Sequence, residues 1–293
     1  MTHIRFSTRH RAAFAAILAL LPLLVSSGCT RAASKDPPAA QTLWLQTKEG
    51  KLKTSVYKSA AQLSSHPVLV VVLHGDLLGF RAIPPSTYHY VFADQATRKI
   101  DDVVVAAVLR PGYRDATGER SEGNAGMATG DNYTPEVVDA VAAVIEQLKA
   151  KFHPSHTVLM GHSGGSAITA DLLGRVPSAV EGALVVSCPC DLGAWRKFMM
   201  QKQGNNPIWT APIRGLSPLD LAGQVSPAVQ VSVLVGADDD VAPPAMSRQY
   251  AEALKKHVSH VTLTVAPGLG HEILEEPVTY EALKKLVQDL RGS

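Results

Sequence analysis

The stretch from His156 to Arg175 constrains the fold of this chain more than any other. Its centre reads Gly161-His162-Ser163-Gly164-Gly165. A short apolar run, 157–160, precedes this motif, and an amphipathic helical pattern, 167–176, follows it. A strand, then Gly-x-Ser-x-Gly, then a helix is typical of a nucleophile elbow, a turn so tight that the serine adopts strained backbone angles. A Gly/Ser cluster alone would indicate only a turn, so this prediction depends on partners elsewhere in the chain.

The partner that Ser163 needs first is a base, because a serine hydroxyl is a poor nucleophile at neutral pH. His271 is the strongest candidate, since it lies in a glycine-containing loop between the last predicted strand and the last predicted helix. His162 lies inside the elbow, where its side chain should point away from the hydroxyl. The remaining candidates are weaker; they are His74, His257 and His260.

A carboxylate is needed to orient that base. Three adjacent acids, Asp238, Asp239 and Asp240, follow the apolar run 229–235. Three neighbouring carboxylates would also suit a solvated acidic turn. The residues alone therefore place the orienting acid in this loop without separating the three candidates.

Four landmarks in order resemble those of the α/β-hydrolase superfamily over residues 42–291. They are His74-Gly75, the elbow, the acidic loop and the His271 loop. In that family's acid loop the Asp falls three residues after a Gly and a Pro seven after it, a register that selects Asp239 between Gly236 and Pro243. The order Ser, Asp, His is also that of the superfamily.

The resemblance implies a role for each of these residues. Ser163 would be the nucleophile, His271 the base and Asp239 the orienting acid. The backbone N–H groups of Gly164 and Asp76 would form the oxyanion hole, with Leu77 as the alternative second donor. A carboxylate beside an oxyanion would oppose it, so the Asp76 side chain should point away or bind a substrate amine.

Three activities fit this constellation. The first is hydrolysis of carboxylic esters through an acyl-enzyme, with a small ester as substrate. The second is cleavage of short peptides, because the hairpin start and the acid loop also resemble the prolyl-oligopeptidase group. The third is a non-catalytic binding module on the same scaffold, although this chain lacks no member of the triad. No cofactor and no metal ion is predicted.

Loops at the ends of strands should line the substrate pocket. The run 110–113, which begins with Arg110, reads as a loop anchored by a salt bridge, with a substrate contact as the alternative. Trp195 and Trp209 would form a small core of their own or wall an apolar pocket. Cys188 and Cys190 are interpreted as two partly buried thiols, with a disulfide between them as the alternative.

The order of strand and helix patterns predicts an α/β fold with a mainly parallel central sheet flanked by helices. A hairpin of two antiparallel strands should open the domain around Glu49-Gly50. Strand and helix patterns then alternate to the end of the chain, and the stretch 189–225 interrupts them as a short cap insertion. The predicted hydrolase domain therefore spans residues 42–293. The chain has 293 residues, of which 46% are hydrophobic, enough for one large domain.

Residues 1–28 carry the pattern of a secretory signal. Three arginines precede an apolar run, 12–25, and Ser26-Ser27-Gly28-Cys29 follows this run. Small residues before a cysteine resemble a bacterial lipobox, although Ser26 stands where leucine is usual. The pattern favours lipidation of Cys29, a tether over 29–41 and a periplasmic or outer-membrane-anchored lipoprotein, with soluble export as the alternative.

The signal segment also accounts for part of the basic charge. Residues 1–28 hold three arginines and no acidic residue, while the whole chain has a formal net charge of only +2. What remains is close to neutral and shows no basic footprint for nucleic acid. A membrane partner is expected only through the lipid anchor, and the oligomeric state is left open.

Overall fold

The computed structural model describes residues 39, 41–60, 63–77, 86–126, 129 and 131–293. The predicted signal segment 1–28 and its lipidation site, Cys29, lie outside these residues. So does the predicted tether 29–41, except for Ala39 and Gln41. Among the described residues, no helix is both long and apolar enough to cross a bilayer.

The described residues form one eight-stranded sheet in the order β1-β2-β4-β3-β5-β6-β7-β8. The strands are β1 Gln41–Thr47, β2 Gly50–Lys58, β3 Val68–Leu73, β4 Val103–Val108, β5 Thr157–His162, β6 Gly182–Val186, β7 Gln230–Gly236 and β8 His260–Ala266. The pairs β1–β2 and β2–β4 are antiparallel, and the other pairs are parallel. The prediction of an opening hairpin followed by a mainly parallel sheet is therefore confirmed.

Helices cover both faces of this sheet. They are α1 Tyr88–Lys99, α2 Pro135–Phe152, α3 Gly164–Arg175, α4 Leu192–Lys202, α5 Pro218–Leu221, α6 Pro244–Leu254 and α7 Pro277–Arg291. The start of α2 shows how the sequence fixes a boundary, because Pro135 occupies the first turn after Thr134, which adopts extended backbone angles. At the other end His153 takes a left-handed conformation with φ of 45°, which stops the helix.

The two large cores lie on opposite faces of the sheet, because successive side chains of a strand point to opposite faces. All six residues of β3 are buried: Leu69, Val71 and Leu73 join the core beneath α2, α3 and α6, while the other three join the core beneath α1 and α7. A strand that is buried on both faces reads as a continuous apolar run, which is why β3 was readable from the sequence.

The cap insertion lies between β6 and β7. It contains α4 and α5, together with two short 3₁₀ turns, Pro207–Thr210 and Ala222–Gln224. In a parallel sheet the carboxyl ends of the strands share one edge, so the loops after β3, β5, β7 and β8 converge there with the cap. This convergence places the elbow, the acidic loop and the His271 loop at one end of the sheet.

Candidate active site

The turn after β5 places Ser163 in an unusual backbone conformation. β5 ends at His162, α3 begins at Gly164, and Ser163 between them has φ of 53° and ψ of −122°. A positive φ is strained for a residue with a side chain, and its presence at a chain reversal marks a functional position. The Ser163 N–H donates a hydrogen bond of 2.9 Å to the Val186 carbonyl on neighbouring β6, which holds the turn in place.

Glycines let this turn pack directly on the backbone around it. A Cβ on Gly161 would lie 2.1 Å from the Gly165 carbonyl oxygen. A Cβ on Gly165 would lie 2.5 Å from the His74 carbonyl oxygen. Real Cβ atoms do not approach oxygen so closely, so the elbow requires glycine at both positions.

The structure brings the three predicted residues together. His271 Nε2 lies 2.9 Å from Ser163 Oγ. His271 Nδ1 lies 3.0 Å from each carboxylate oxygen of Asp239. An ionised carboxylate only accepts, so the imidazole proton sits on Nδ1 and Nε2 is free to accept from the serine hydroxyl. This is the hydrogen-bond order of a Ser-His-Asp triad.

Asp239 differs from its two neighbours in burial and partners. Its side chain is fully buried, and it accepts hydrogen bonds from the backbone N–H groups of Val241 at 3.0 Å and Ala242 at 2.8 Å. Burial raises the pKa of Asp239, but the hydrogen bond from His271 and the two backbone donors outweigh it and leave the pKa below its usual value. Asp238 and Asp240 are exposed, and Asp240 pairs with Lys202 at 2.7 Å.

The Asp76 carboxylate is held by a buried polar cluster. It accepts hydrogen bonds from Arg110 at 2.9 Å, from the Tyr113 hydroxyl at 3.2 Å and from the Tyr133 hydroxyl at 2.5 Å. Burial raises the pKa of Asp76, more than Arg110 and the two tyrosines lower it. Arg110 is itself buried and also donates to the His74 carbonyl at 3.1 Å, which agrees with the interpretation of this run as a loop anchor.

His74 supports the same loop from within. The Arg110 backbone N–H donates to His74 Nε2 at 3.0 Å, so the proton of the ring sits on Nδ1, which faces the Gly75 carbonyl at 2.8 Å. Burial holds the pKa of His74 well below its usual value, in agreement with a neutral ring. His74 therefore contributes structure to the site, and its ring nitrogens are both occupied.

A cavity of about 150 Å³ opens in front of Ser163. Trp195 and Met199 from α4 contribute apolar walls, and Tyr88, His162 and Glu272 are also among the lining residues. Trp195 and Trp209 pack edge to face with ring centroids 5.3 Å apart, so the two tryptophans form a small cap core, and Trp195 also walls the pocket. The Trp195 Nε1–H donates to the Val241 carbonyl at 3.0 Å, which joins the cap to the acidic loop.

One sequence interpretation needs correction here. Cys188 and Cys190 form a disulfide in the structure, whereas free thiols were favoured. The turn after β6 brings their Cα atoms within 5.1 Å, inside the range that a disulfide spans, although only one residue separates them. Tyr88 has polar contacts that the sequence did not indicate: its hydroxyl accepts a hydrogen bond from the Gly75 N–H and contacts His162 Nδ1 at 3.1 Å.

Sequence reasoning also missed what His162 does. Its Nε2 lies 2.8 Å from the His271 carbonyl oxygen. Ser187 Oγ donates to the same carbonyl at 3.2 Å. The sequence signal for this contact is the histidine itself, which lies inside the elbow directly before Ser163.

The fold and the arrangement around Ser163 define a serine hydrolase of the α/β-hydrolase type. A model of the prolyl oligopeptidase family matches residues 100–288, which is more than half of the chain. The chain therefore belongs to the prolyl oligopeptidase family. No curated protein shows significant sequence similarity to it.

Solved structures share the fold at low sequence identity. An acylaminoacyl peptidase of Pyrococcus horikoshii aligns with a TM-score of 0.62 and 14% identity over 86% of this chain and 40% of its own. An esterase of Pyrococcus furiosus aligns with a TM-score of 0.61 and 16% identity over 84% of this chain and 92% of its own. Est1E of Butyrivibrio proteoclasticus, solved with ferulic acid, aligns with a TM-score of 0.62 and 14% identity over 86% of this chain and 100% of its own. The chain thus spans less than half of the peptidase and nearly all of the two esterases.

The contact between Gly165 and the His74 carbonyl can be tested directly. We expect Gly165→Ala to lower the free energy of unfolding by about 1–3 kcal/mol, because the added methyl group forces backbone apart at the elbow. Gly223→Ala is the matched control, since nothing lies within 4 Å of a Cβ added there. Urea denaturation of both variants measures the difference, and equal stability of the two would contradict the close approach.

Proposed function

We propose that this protein hydrolyses carboxylic esters, with Ser163 as nucleophile, His271 as general base and Asp239 as the acid that orients it. The observation that carries the proposal is the 2.9 Å contact between His271 Nε2 and Ser163 Oγ, with both Asp239 oxygens on the opposite nitrogen. A hydroxyl that is poor as a nucleophile gains a base within hydrogen-bond reach, and the base gains a fixed tautomer.

The reaction proceeds in two halves. In the first, the Ser163 hydroxyl proton passes to His271 Nε2 as Oγ bonds to the acyl carbon; the imidazolium then protonates the departing alcohol oxygen as the ester C–O bond breaks. In the second, Nε2 takes a proton from water as the water oxygen bonds to the acyl carbon. The bond to Oγ then breaks and the proton returns to Ser163, which releases a carboxylic acid.

The oxyanion that forms in each half needs preorganised donors, each worth about 2.7–4 kcal/mol. We assign this role to the backbone N–H groups of Gly164 and Asp76. Gly164 opens α3, so its N–H has no acceptor within the helix. The neighbouring Gly75 N–H already donates to the Tyr88 hydroxyl, and Leu77 remains the alternative second donor.

The apolar walls and the volume of the pocket suit an ester substrate. Trp195 and Met199 offer apolar surface to an acyl or aryl group, and a cavity of about 150 Å³ suits a small or medium group. The Pyrococcus furiosus esterase and Est1E, which was solved with ferulic acid, both align over most of their own length. These observations support an ester before a peptide.

Cleavage of short peptides is the second candidate function. The match to the prolyl oligopeptidase family and the fold shared with acylaminoacyl peptidase favour it. The same triad would serve, because acyl transfer from an amide differs in the leaving group that His271 must protonate. A free amine of a peptide would find the Asp76 carboxylate already occupied by Arg110, which weighs against amine binding at that position.

We also propose that the protein is exported and that Cys29 carries a lipid anchor. The support is the basic start, the apolar run and the small residues before Cys29. Active in that compartment, the hydrolase would meet ester substrates outside the cytoplasm.

The triad predicts distinct outcomes for three variants. Ser163→Ala should abolish labelling by a fluorophosphonate, whereas Ser166→Ala should keep it, because only Ser163 faces His271 Nε2. Asp239→Asn should lower kcat by about 10⁴-fold, since an amide favours the wrong tautomer of the imidazole. Unchanged labelling of Ser163→Ala would overturn the assignment of the nucleophile.

The choice between ester and peptide is tested by a substrate panel with the domain 42–293. We expect p-nitrophenyl esters of short acids to be turned over with a higher kcat/KM than aminoacyl p-nitroanilides. The Ser163→Ala variant gives the background for each substrate. Anilide turnover that exceeds ester turnover would reverse the order of the two candidates.

The anchor is tested by fractionation of a bacterial host that expresses the full chain. We expect the wild-type protein in the membrane fraction and Cys29→Ser in the soluble periplasmic fraction, because only the cysteine thiol can be lipidated. Both proteins in the soluble periplasm would contradict lipidation alone. Both in the cytoplasm would contradict export.

A further inference from the structure

A chain of hydrogen bonds runs behind Ser163 and joins the loops on its two sides. The Gly75 backbone N–H donates to the Tyr88 hydroxyl. The Tyr88 oxygen lies 3.1 Å from His162 Nδ1, and His162 Nε2 lies 2.8 Å from the His271 carbonyl oxygen. The chain therefore begins in the loop after β3, crosses the elbow and ends in the loop that carries His271.

The direction of each hydrogen bond is fixed by chemistry. A carbonyl oxygen only accepts, so His162 Nε2 must carry the proton that faces His271. His162 Nδ1 is then an acceptor in the neutral ring and receives the Tyr88 hydroxyl proton. Because Tyr88 has used its one proton, its oxygen accepts from Gly75. For a neutral ring, no other assignment satisfies both ends of the chain.

The state that this assignment requires is the neutral imidazole. His162 is only 2% exposed, and its ring packs between the rings of Tyr88, at 5.6 Å, and His271, at 5.0 Å. Burial lowers the pKa of His162 to about 4, so the ring is neutral near pH 7.

Both ends of the chain lie next to groups that the proposed reaction uses. Gly75 precedes Asp76, whose N–H is assigned to the oxyanion hole, and a Cβ on Gly75 would lie 2.8 Å from Ser163 Cβ. The other end holds the main chain of His271, whose Nε2 must stay at 2.9 Å from Ser163 Oγ. The elbow residue adjacent to the nucleophile is therefore linked directly to the base loop and, through Tyr88, to the loop after β3.

We propose that Tyr88 and His162 are positioning residues, which keep the oxyanion loop and the base loop in register on either side of Ser163. This proposal rests on the proposed function, because it concerns how the triad and the oxyanion donors are aligned. Each side chain acts through the backbone that it holds, because their hydrogen bonds link the Gly75 N–H, the two side chains and the His271 carbonyl. A displacement of about 1 Å in such an alignment is enough to lower a rate by about 100-fold.

Tyr88→Phe is the most selective test, because it keeps the ring and removes only the hydroxyl. Tyr250→Phe is the matched control, since the buried Tyr250 hydroxyl makes no hydrogen bond within the described part of the chain. With p-nitrophenyl acetate as substrate, we expect Tyr88→Phe to lower kcat by roughly 10- to 100-fold with little change in KM. Tyr250→Phe should keep the wild-type kcat.

The double variant shows whether the two residues act as one unit. His162→Gln alone should also lower kcat, and combining it with Tyr88→Phe should cause no further loss, because the chain is already broken. Losses that multiply in the double variant would overturn the proposal. A Tyr88→Phe variant with wild-type kcat would also overturn the proposal. So would a Tyr88→Phe variant whose lower kcat comes with a lower melting temperature, if Tyr250→Phe shows no such fall in melting temperature.

Failure of this proposal is distinguishable from failure of the proposed function. If Ser163→Ala retains turnover of p-nitrophenyl acetate, the triad itself is wrong. If turnover requires Ser163 but is unaffected by Tyr88→Phe, the triad stands and the positioning role is refuted.

Discussion

The structure depends on the contact between the Gly165 backbone and the His74 carbonyl, at the point where β5 turns into α3. This contact lets the chain reverse within one residue and leaves Ser163 with φ of 53°. The strain is tolerated because the turn is held from both sides, by Val186 on β6 and by the loop after β3. Neighbouring strands and loops therefore determine where the hydroxyl points, and the serine's own backbone preference does not.

Around that turn the protein places polar groups in its interior and satisfies them with one another. Asp76 and Arg110 form a buried ion pair closed by Tyr113 and Tyr133, while Asp239 is held by His271 and two backbone N–H groups. Buried ion pairs of this kind contribute little net stability compared with apolar packing. Their arrangement here fixes the geometry of the loops, since each carboxylate joins its own loop to another: Asp76 to the loop between β4 and α2, and Asp239 to the loop that carries His271.

Much of the fold was predictable, because β3 and β5 are continuous apolar runs and α2 has clear boundary residues. The elbow, His271 and the acidic loop were also recognisable, since their chemistry needs particular residue types in a particular order. What the sequence could not supply was contacts between distant residues. Tyr88 reads as one more aromatic on a helix, and nothing local pairs it with Gly75 or His162. The disulfide at Cys188 and Cys190 likewise depends on a backbone turn that residue identity does not specify.

The bond from Trp195 to the Val241 carbonyl has a consequence for how this enzyme could change its specificity. Trp195 belongs to the cap and lines the pocket, whereas the Val241 N–H holds the Asp239 carboxylate at 3.0 Å. The wall that meets the substrate and the loop that carries the acid are thus mechanically continuous. Exchanging the cap for that of another hydrolase would disturb the acid unless an indole, or an equivalent donor, were retained at this position.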